Sequence, residues 1–370
     1  MPRLASSTAR TPLACVPALA VTLGVTFTGV APLAAQADGP GFPDRAELDA
    51  ALAAHDVPGA AMATLSSCAP REVVAAGTAD LSTGTPVTVD TVFEAASLTK
   101  PVFAYLTMKL VAVGEIDLDR PFARTFAYDR ILDADRYAQL TPRLVLTHRS
   151  GLPNWVDPAT DFHDRTAPIP FTSDPGTTFS YSGEAFQLLQ AFVAHETGQT
   201  FESLFRTHLS DLMPNSAVAR PAPGGVPAAR GYPAAPEPGN GRGLTNLYAR
   251  AMAASSLVTT AGDYAAFLGH VCAGGGLPAD LHAEMLRPVS PAPMEEMRIG
   301  DGPIPPPAAW GLGWMILDLG PVALVGHGGS NDEFNAFAGY MPQTGDGIVV
   351  LTNGRNGEVM IQSLLMPQDP

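Results

Sequence analysis

Ser97-Leu98-Thr99-Lys100 is the segment whose residue types and spacing point most directly to chemistry. Three residues apart on a helix, a hydroxyl and an amine share one face, so the lysine can reach the serine. A serine hydroxyl is a weak nucleophile until a neighbouring base takes its proton. A lysine desolvated in a cleft can lose its charge and act as that base, or hold another base in readiness. Backbone N–H groups at a helix start favour the negative charge that develops during attack. The plainer alternative is a serine cap followed by a solvated lysine. Lysine is scarce in this chain, with only Lys100 and Lys109 present, so a motif that contains one is informative. Neither follows a glycine, which excludes a phosphate-cradling P-loop.

Two further segments add to this one. Pro175-Gly176 precedes Tyr181-Ser182-Gly183, just ahead of a predicted helix. A phenol can act as a general base when nearby cations draw off its proton, although its ordinary pKa near 10 demands strong help. Taken alone, Tyr181 would more often be a packing residue. His327-Gly328-Gly329-Ser330 ends a predicted strand. Glycines there let a substrate lie against the strand, and an N–H beyond them can donate to an oxyanion. No C-x-x-C or H-E-x-x-H occurs and the eight histidines are scattered, so neither a metal nor an organic cofactor is expected.

In this order the three segments resemble the serine β-lactamase and penicillin-binding-protein superfamily. The likeness is to its class C-like branch of class C β-lactamases, D,D-carboxypeptidases, D-aminopeptidases and serine esterases. Val57-Pro58-Gly59, Thr91-Val92-Phe93, Leu146 to Leu152, Ser256 to Ala261 and Gly311-Leu312-Gly313-Trp314 share the resemblance, which spans nearly all of the chain after its first 37 residues. It implies that Ser97 is the acylated nucleophile, Lys100 its activating partner and Tyr181 the general base. It also implies an oxyanion hole formed by the N–H groups of Ser97 and Ser330, with His327 and Gly329 lining the substrate side. His148 and Ser150 are assigned a packing role. Two positions depart from the pattern. Gly183 stands where an asparagine often contacts the substrate amide, and His327 replaces the lysine of true class C β-lactamases. Both changes lean toward esterase or peptidase chemistry, and protonation of His327 below about pH 6.5 would favour anionic substrates. The reading is therefore a serine hydrolase acting on a small-molecule ester, a D-amino-acid amide or peptide, or a β-lactam. The rival is a penicillin- or cell-wall-fragment-binding protein with little or no turnover.

The elements around these residues define the expected fold. A helix is predicted over 45–54, strands over 60–67 and 71–79, and a helix over 97–113. Helices follow at 183–197, 201–210 and 262–272. Strands then return at 310–318, 321–327, 334–341 and 346–352, before a closing helix over 358–365. Strands at both ends predict an α+β fold, with one antiparallel sheet built from both termini and flanked by helices. The sheet domain would comprise 38–114 and 286–370, with 115–285 as an inserted, mostly helical domain. A cleft between them is the expected active site, and the loops at 219–243 and 286–309 are the expected seat of specificity.

Composition narrows the partners. The 370 residues carry 21 basic and 36 acidic side chains, a formal net charge of −15. So acidic a body repels nucleic acid and anionic lipid. Arg3 and Arg10 precede a nearly continuous apolar run over 12–34, and Ala35-Gln36-Ala37 offers a small-x-small cleavage site. Residues 1–37 are therefore read as a signal peptide, cleaved near Ala37, that exports the protein to the periplasm or medium. No stable membrane insertion is expected. Of three cysteines, Cys68 and Cys272 remain after cleavage; they either pair or sit as ordinary buried thiols.

Overall fold

The computed structural model describes residues 41–156, 166–219, 225–244, 250–293 and 307–365. The expected signal peptide lies outside them, as do parts of both proposed specificity loops. The strands are β1 (Gly59–Ser66), β2 (Ala69–Asp80), β3 (Thr85–Pro86), β4 (Phe93–Ala96), β5 (Leu257–Thr259), β6 (Ser290–Pro291), β7 (Ala308–Trp310), β8 (Met315–Asp318), β9 (Ala323–Ser330), β10 (Asn335–Tyr340) and β11 (Gly347–Thr352). The helices are α1 (Arg45–Ala54), α2 (Thr99–Ala112), α3 (Ala134–Tyr137), α4 (Pro142–Leu146), α5 (Gly183–Thr197), α6 (Phe201–His208), α7 (Ala261–Cys272), α8 (Ala279–Met285) and α9 (Gly357–Leu365).

One antiparallel sheet runs in the order β3-β2-β1-β11-β10-β9-β8-β7-β6. Its third and fourth strands come from opposite ends of the described sequence, Ala60 pairing with Thr352 and Leu65 with Gly347. The alternation of strand side chains explains how it is covered. Ala60 and Met62 of β1, with Ile348 and Val350 of β11, pack against Leu48 and Leu52 of α1 and Met360 and Ile361 of α9. The intervening Ala61, Ala63, Val349 and Leu351 face the main core. That core also holds α2, whose residues are buried on nearly every side. A helix apolar all round belongs in an interior.

Three boundaries differ from expectation. The stretch 310–318 is two strands, because Gly311 to Trp314 turns the chain between β7 and β8. A short strand, β4, precedes Ser97 and pairs with β5 in a separate two-stranded sheet. Helix α7 falls in the 115–285 stretch expected to form the helical insertion, yet it packs on β1 and β2. Gly269 makes this possible, since a Cβ there would lie 2.4 Å from the Cys68 carbonyl oxygen. Cys68, in the β1–β2 turn, and Cys272, at the end of α7, form a disulfide with Cα atoms 5.4 Å apart.

Candidate active site

Ser97 sits at the corner between β4 and α2, two residues ahead of the helix that the sequence predicts it to open. Ala96 makes the corner with φ of 48°, a conformation that residues with a Cβ rarely adopt. Thr99 secures it from within: its hydroxyl donates to the Ala96 carbonyl at 2.6 Å and accepts from the Leu257 N–H at 2.9 Å. Lys100, 1% exposed, then reaches back to the serine, with Nζ 3.0 Å from Ser97 Oγ and 2.9 Å from the Ala254 carbonyl oxygen. Burial lowers its pKa from 10.5 to about 7. Near neutrality much of it is therefore an amine, which can donate to Ala254 and turn its lone pair toward the serine hydroxyl. The Ala254 segment is held by α5, because Gln190 accepts from the Ala253 N–H and donates to the Ala251 carbonyl.

Tyr181 approaches from the other side. Ser182 caps α5 by accepting from the Ala185 N–H and donates to the Pro153 carbonyl. Glu184, in the first turn, forms a buried bidentate pair with Arg130. These contacts fix the start of α5 and with it the Tyr181 ring, whose centroid lies 4.7 Å from Lys100 Nζ. Burial raises the phenol pKa, partly opposed by its hydrogen bond with Ser97. Tyr181 therefore remains a phenol at neutral pH.

His148, which the sequence reads as a packing residue, packs directly on the site: its ring lies tilted against Tyr181 with centroids 4.4 Å apart. Its Nδ1 accepts the Ser182 N–H at 3.1 Å, which leaves the proton of the neutral ring on Nε2. It stays neutral because burial, and after it the neighbouring Lys100, drives its pKa well down. The residue also adopts φ of 53° and is fully buried.

Strand β9 forms the third wall. Its pairing with β8 ends at the Met315–Gly326 partners, so residues 327–330 have β10 on one side only. The open side meets the Ser97 corner at Gly329, where a Cβ would lie 2.4 Å from the Ala95 carbonyl and 3.2 Å from the Ser97 nitrogen. A side chain at 329 would force the strand away from the nucleophile. Ser330 directly follows this contact point, at the end of β9. His327 lies within 5.9 Å of Tyr181 and 6.1 Å of Trp310, centroid to centroid, and its Nδ1 donates to the Gly328 carbonyl. Burial, then the charge of Lys100, lowers its pKa to about 3, against an opposing effect of the Gly328 hydrogen bond. His327 is therefore neutral across the physiological range and is not the acid-side anchor for anionic substrates that its ordinary pKa suggested.

One network escaped the sequence reading. Glu94, on β4, has a fully buried carboxylate that accepts from Arg242 Nη1 at 3.0 Å and from Asn331 Nδ2 at 3.0 Å. Arg242 also donates to Glu333 and to the Asn331 carbonyl. Asn331 directly follows Ser330, so the network ties the Ser97 strand to the Ser330 turn. A lone acid within the apolar run Val92–Ala96 was the available signal, since a buried charge must be paired.

This arrangement, a serine beside a buried lysine and a tyrosine under an antiparallel sheet, accords with comparison to known proteins. Residues 45–363 match the family model described as Beta-lactamase, and the chain belongs to that family. Among curated proteins it is 27% identical to "Penicillin-binding protein 4" of Amycolatopsis lactamdurans over 325 residues, 83% of each chain. It is 35% identical to "Esterase EstB" of Burkholderia gladioli over 147 residues, 34% of this chain and 37% of the other. Among solved structures, D-amino acid amidase from Ochrobactrum anthropi is 26% identical with a TM-score of 0.68, covering 87% of this chain and 98% of the amidase. The octameric penicillin-binding protein homologue from Pyrococcus abyssi shares the fold, with a TM-score of 0.70 at 20% identity over 89% and 78% of the two chains.

Proposed function

We propose that the protein is an exported serine hydrolase that works through an acyl-enzyme on an ester or a D-amino-acid amide or peptide. The observation that carries this reading is the buried Lys100 amine, 3.0 Å from Ser97 Oγ. The amine takes the hydroxyl proton as Oγ attacks the substrate carbonyl carbon. The N–H groups of Ser97 and Ser330 hold the oxyanion, an interaction that strengthens as charge develops. Collapse breaks the bond to the leaving group, which receives the proton from Lys100 by way of the Tyr181 hydroxyl. Water then attacks the acyl carbon and gives its proton to Lys100, and the acyl–Oγ bond breaks as Ser97 Oγ takes that proton back, which frees the acid and restores the enzyme. Lys100 is thus the proton acceptor, and Tyr181 the relay rather than the primary base, because burial frees the lysine of its proton and keeps the phenol protonated. The esterase and amidase relatives support the reaction class. The Cys68–Cys272 disulfide supports export, since such bonds persist in oxidising compartments.

The test is intact-mass spectrometry after incubation with a penicillin, together with turnover of p-nitrophenyl esters and D-amino-acid amides. The unmodified protein should gain a penicilloyl-sized mass or turn over an ester or amide, and Ser97→Ala should do neither. Undiminished hydrolysis by Ser97→Ala would refute the assignment.

A further inference from the structure

Helix α4 ends in a Schellman motif: the Arg149 N–H donates to the Leu144 carbonyl at 2.8 Å, and the His148 N–H to the Val145 carbonyl at 3.0 Å. The left-handed residue of that motif is ordinarily glycine. Here it is His148, with φ of 53° and a fully buried side chain. Its Nε2 finds no hydrogen-bond partner among the described residues. An apolar ring would fill the same volume without burying an unpartnered N–H, so packing alone does not account for an imidazole. Its other contacts do. The His148 carbonyl accepts the Ser180 N–H at 2.7 Å, and its Nδ1 accepts the Ser182 N–H at 3.1 Å. One residue thus holds both chain neighbours of Tyr181, while its ring packs on the tyrosine ring between them. Only a neutral imidazole has the lone pair to accept, and burial keeps His148 neutral.

Resting on the acyl-transfer reading above, in which Tyr181 relays a proton to the leaving group, we propose that His148 is a positioning residue of that relay. Its Nδ1 hydrogen bond with the Ser182 N–H holds the Tyr181 hydroxyl where the proton passes. His148 exchanges no proton itself. The hydroxyl lies at the far end of the tyrosine side chain, so a small rotation of the backbone at 181 becomes a larger displacement there. That displacement matters only to substrates that need the proton. A weakly basic leaving group such as p-nitrophenolate departs without it, whereas an alkoxide or an amine does not.

The experiment measures kcat/KM for one acyl group on a series of aryl and alkyl leaving groups, and reads the slope of its logarithm against leaving-group pKa. A variant that merely lowers the amount of folded enzyme scales every member equally and moves the intercept, not the slope. His148→Phe keeps a ring but removes the acceptor. It should steepen the slope, so that the alkyl members lose about tenfold more than the p-nitrophenyl member. His148→Asn tolerates the left-handed backbone and offers Oδ1 to the same N–H, and should keep most of the parent slope. Tyr181→Phe gives the slope of a lost relay. Steepening in Tyr181→Phe but not in His148→Phe would overturn the proposal and leave the relay standing. An unchanged slope in Tyr181→Phe would instead remove the relay, and the proposal with it. Equal steepening in His148→Asn and His148→Phe would refute the role given to Nδ1. Should His148→Phe fail to fold, nitrogen NMR of the parent still decides. The imidazole signals that His148→Asn lacks should show a bare, hydrogen-bonded Nδ1 and a protonated Nε2 at neutral pH; the opposite tautomer or an imidazolium would sink the proposal.

Discussion

Replacing Lys100 by methionine should raise stability while abolishing turnover, and the size of the gain should depend on pH in a defined way. Burial takes the ammonium from 10.5 to about 7, a displacement equivalent to ~5 kcal/mol. Below pH 7 both folded and unfolded chains carry the proton, and the folded chain bears the full cost of burying it. Between about 7 and 10.5 only the unfolded chain holds the proton, so parent stability from this group rises by ~1.4 kcal/mol per pH unit. Methionine removes the titration and forfeits the hydrogen bond to Ala254, a constant loss of ~1 kcal/mol. The advantage of Lys100→Met should thus be largest at pH 6 and shrink by ~2–3 kcal/mol between pH 7.5 and 9.5. Urea unfolding of both proteins at four pH values, with the disulfide intact, measures the difference. Parent kcat/KM on a neutral ester should rise through the same midpoint near 7 and then level off, because only the free amine accepts the serine proton. A stability difference that does not vary with pH, or a kinetic midpoint far from 7, would refute the assignment of Lys100 as a buried, partly neutral base.

Three other outcomes follow from contacts already described. Glu94→Gln should lower kcat at least about tenfold with little change in KM, because it loosens the link between the strands that carry the oxyanion donors; steady-state ester kinetics check this, and equal loss in KM would assign Glu94 to binding instead. Cys68→Ser should lower unfolding free energy by ~2–4 kcal/mol and leave kcat intact, as urea melts and ester turnover would show; an unchanged melt would deny the disulfide any stabilising role. The KM ratio of an anionic ester to its neutral analogue should stay flat from pH 5 to 8, because His327 remains neutral there; a ratio that favours the anion on acidification would show that it titrates in this range.

Much of the fold is legible in local pattern. Helix α1 begins and ends as the sequence predicts, because Asp44 and Glu47 form a capping box. Helix α5 does so because Ser182 caps its start and Gly198, at φ of 68°, ends it. The Ser97–Lys100 spacing likewise survives, although α2 starts later than expected. What could not be read depends on long-range pairing. β4 is too short to announce itself and exists because β5, over 150 residues later in the chain, pairs with it. The partners of Glu94 lie 148 and 237 positions away, which no local spacing encodes. The packing of His148 on Tyr181 arises only when two loops meet. The pKa values of Lys100 and His327 were equally invisible, since burial sets both.

The pairing of β1 with β11 inside the sheet also governs how the protein is made. During synthesis the β1–β2 hairpin emerges early, but the Ala60 edge of β1 stays bare until Thr352 has been added. At ordinary elongation rates that interval is roughly 15–60 s. Throughout it the nascent chain carries an open, apolar β edge and an α2 with little to bury it. Such a chain needs protection from pairing with its neighbours.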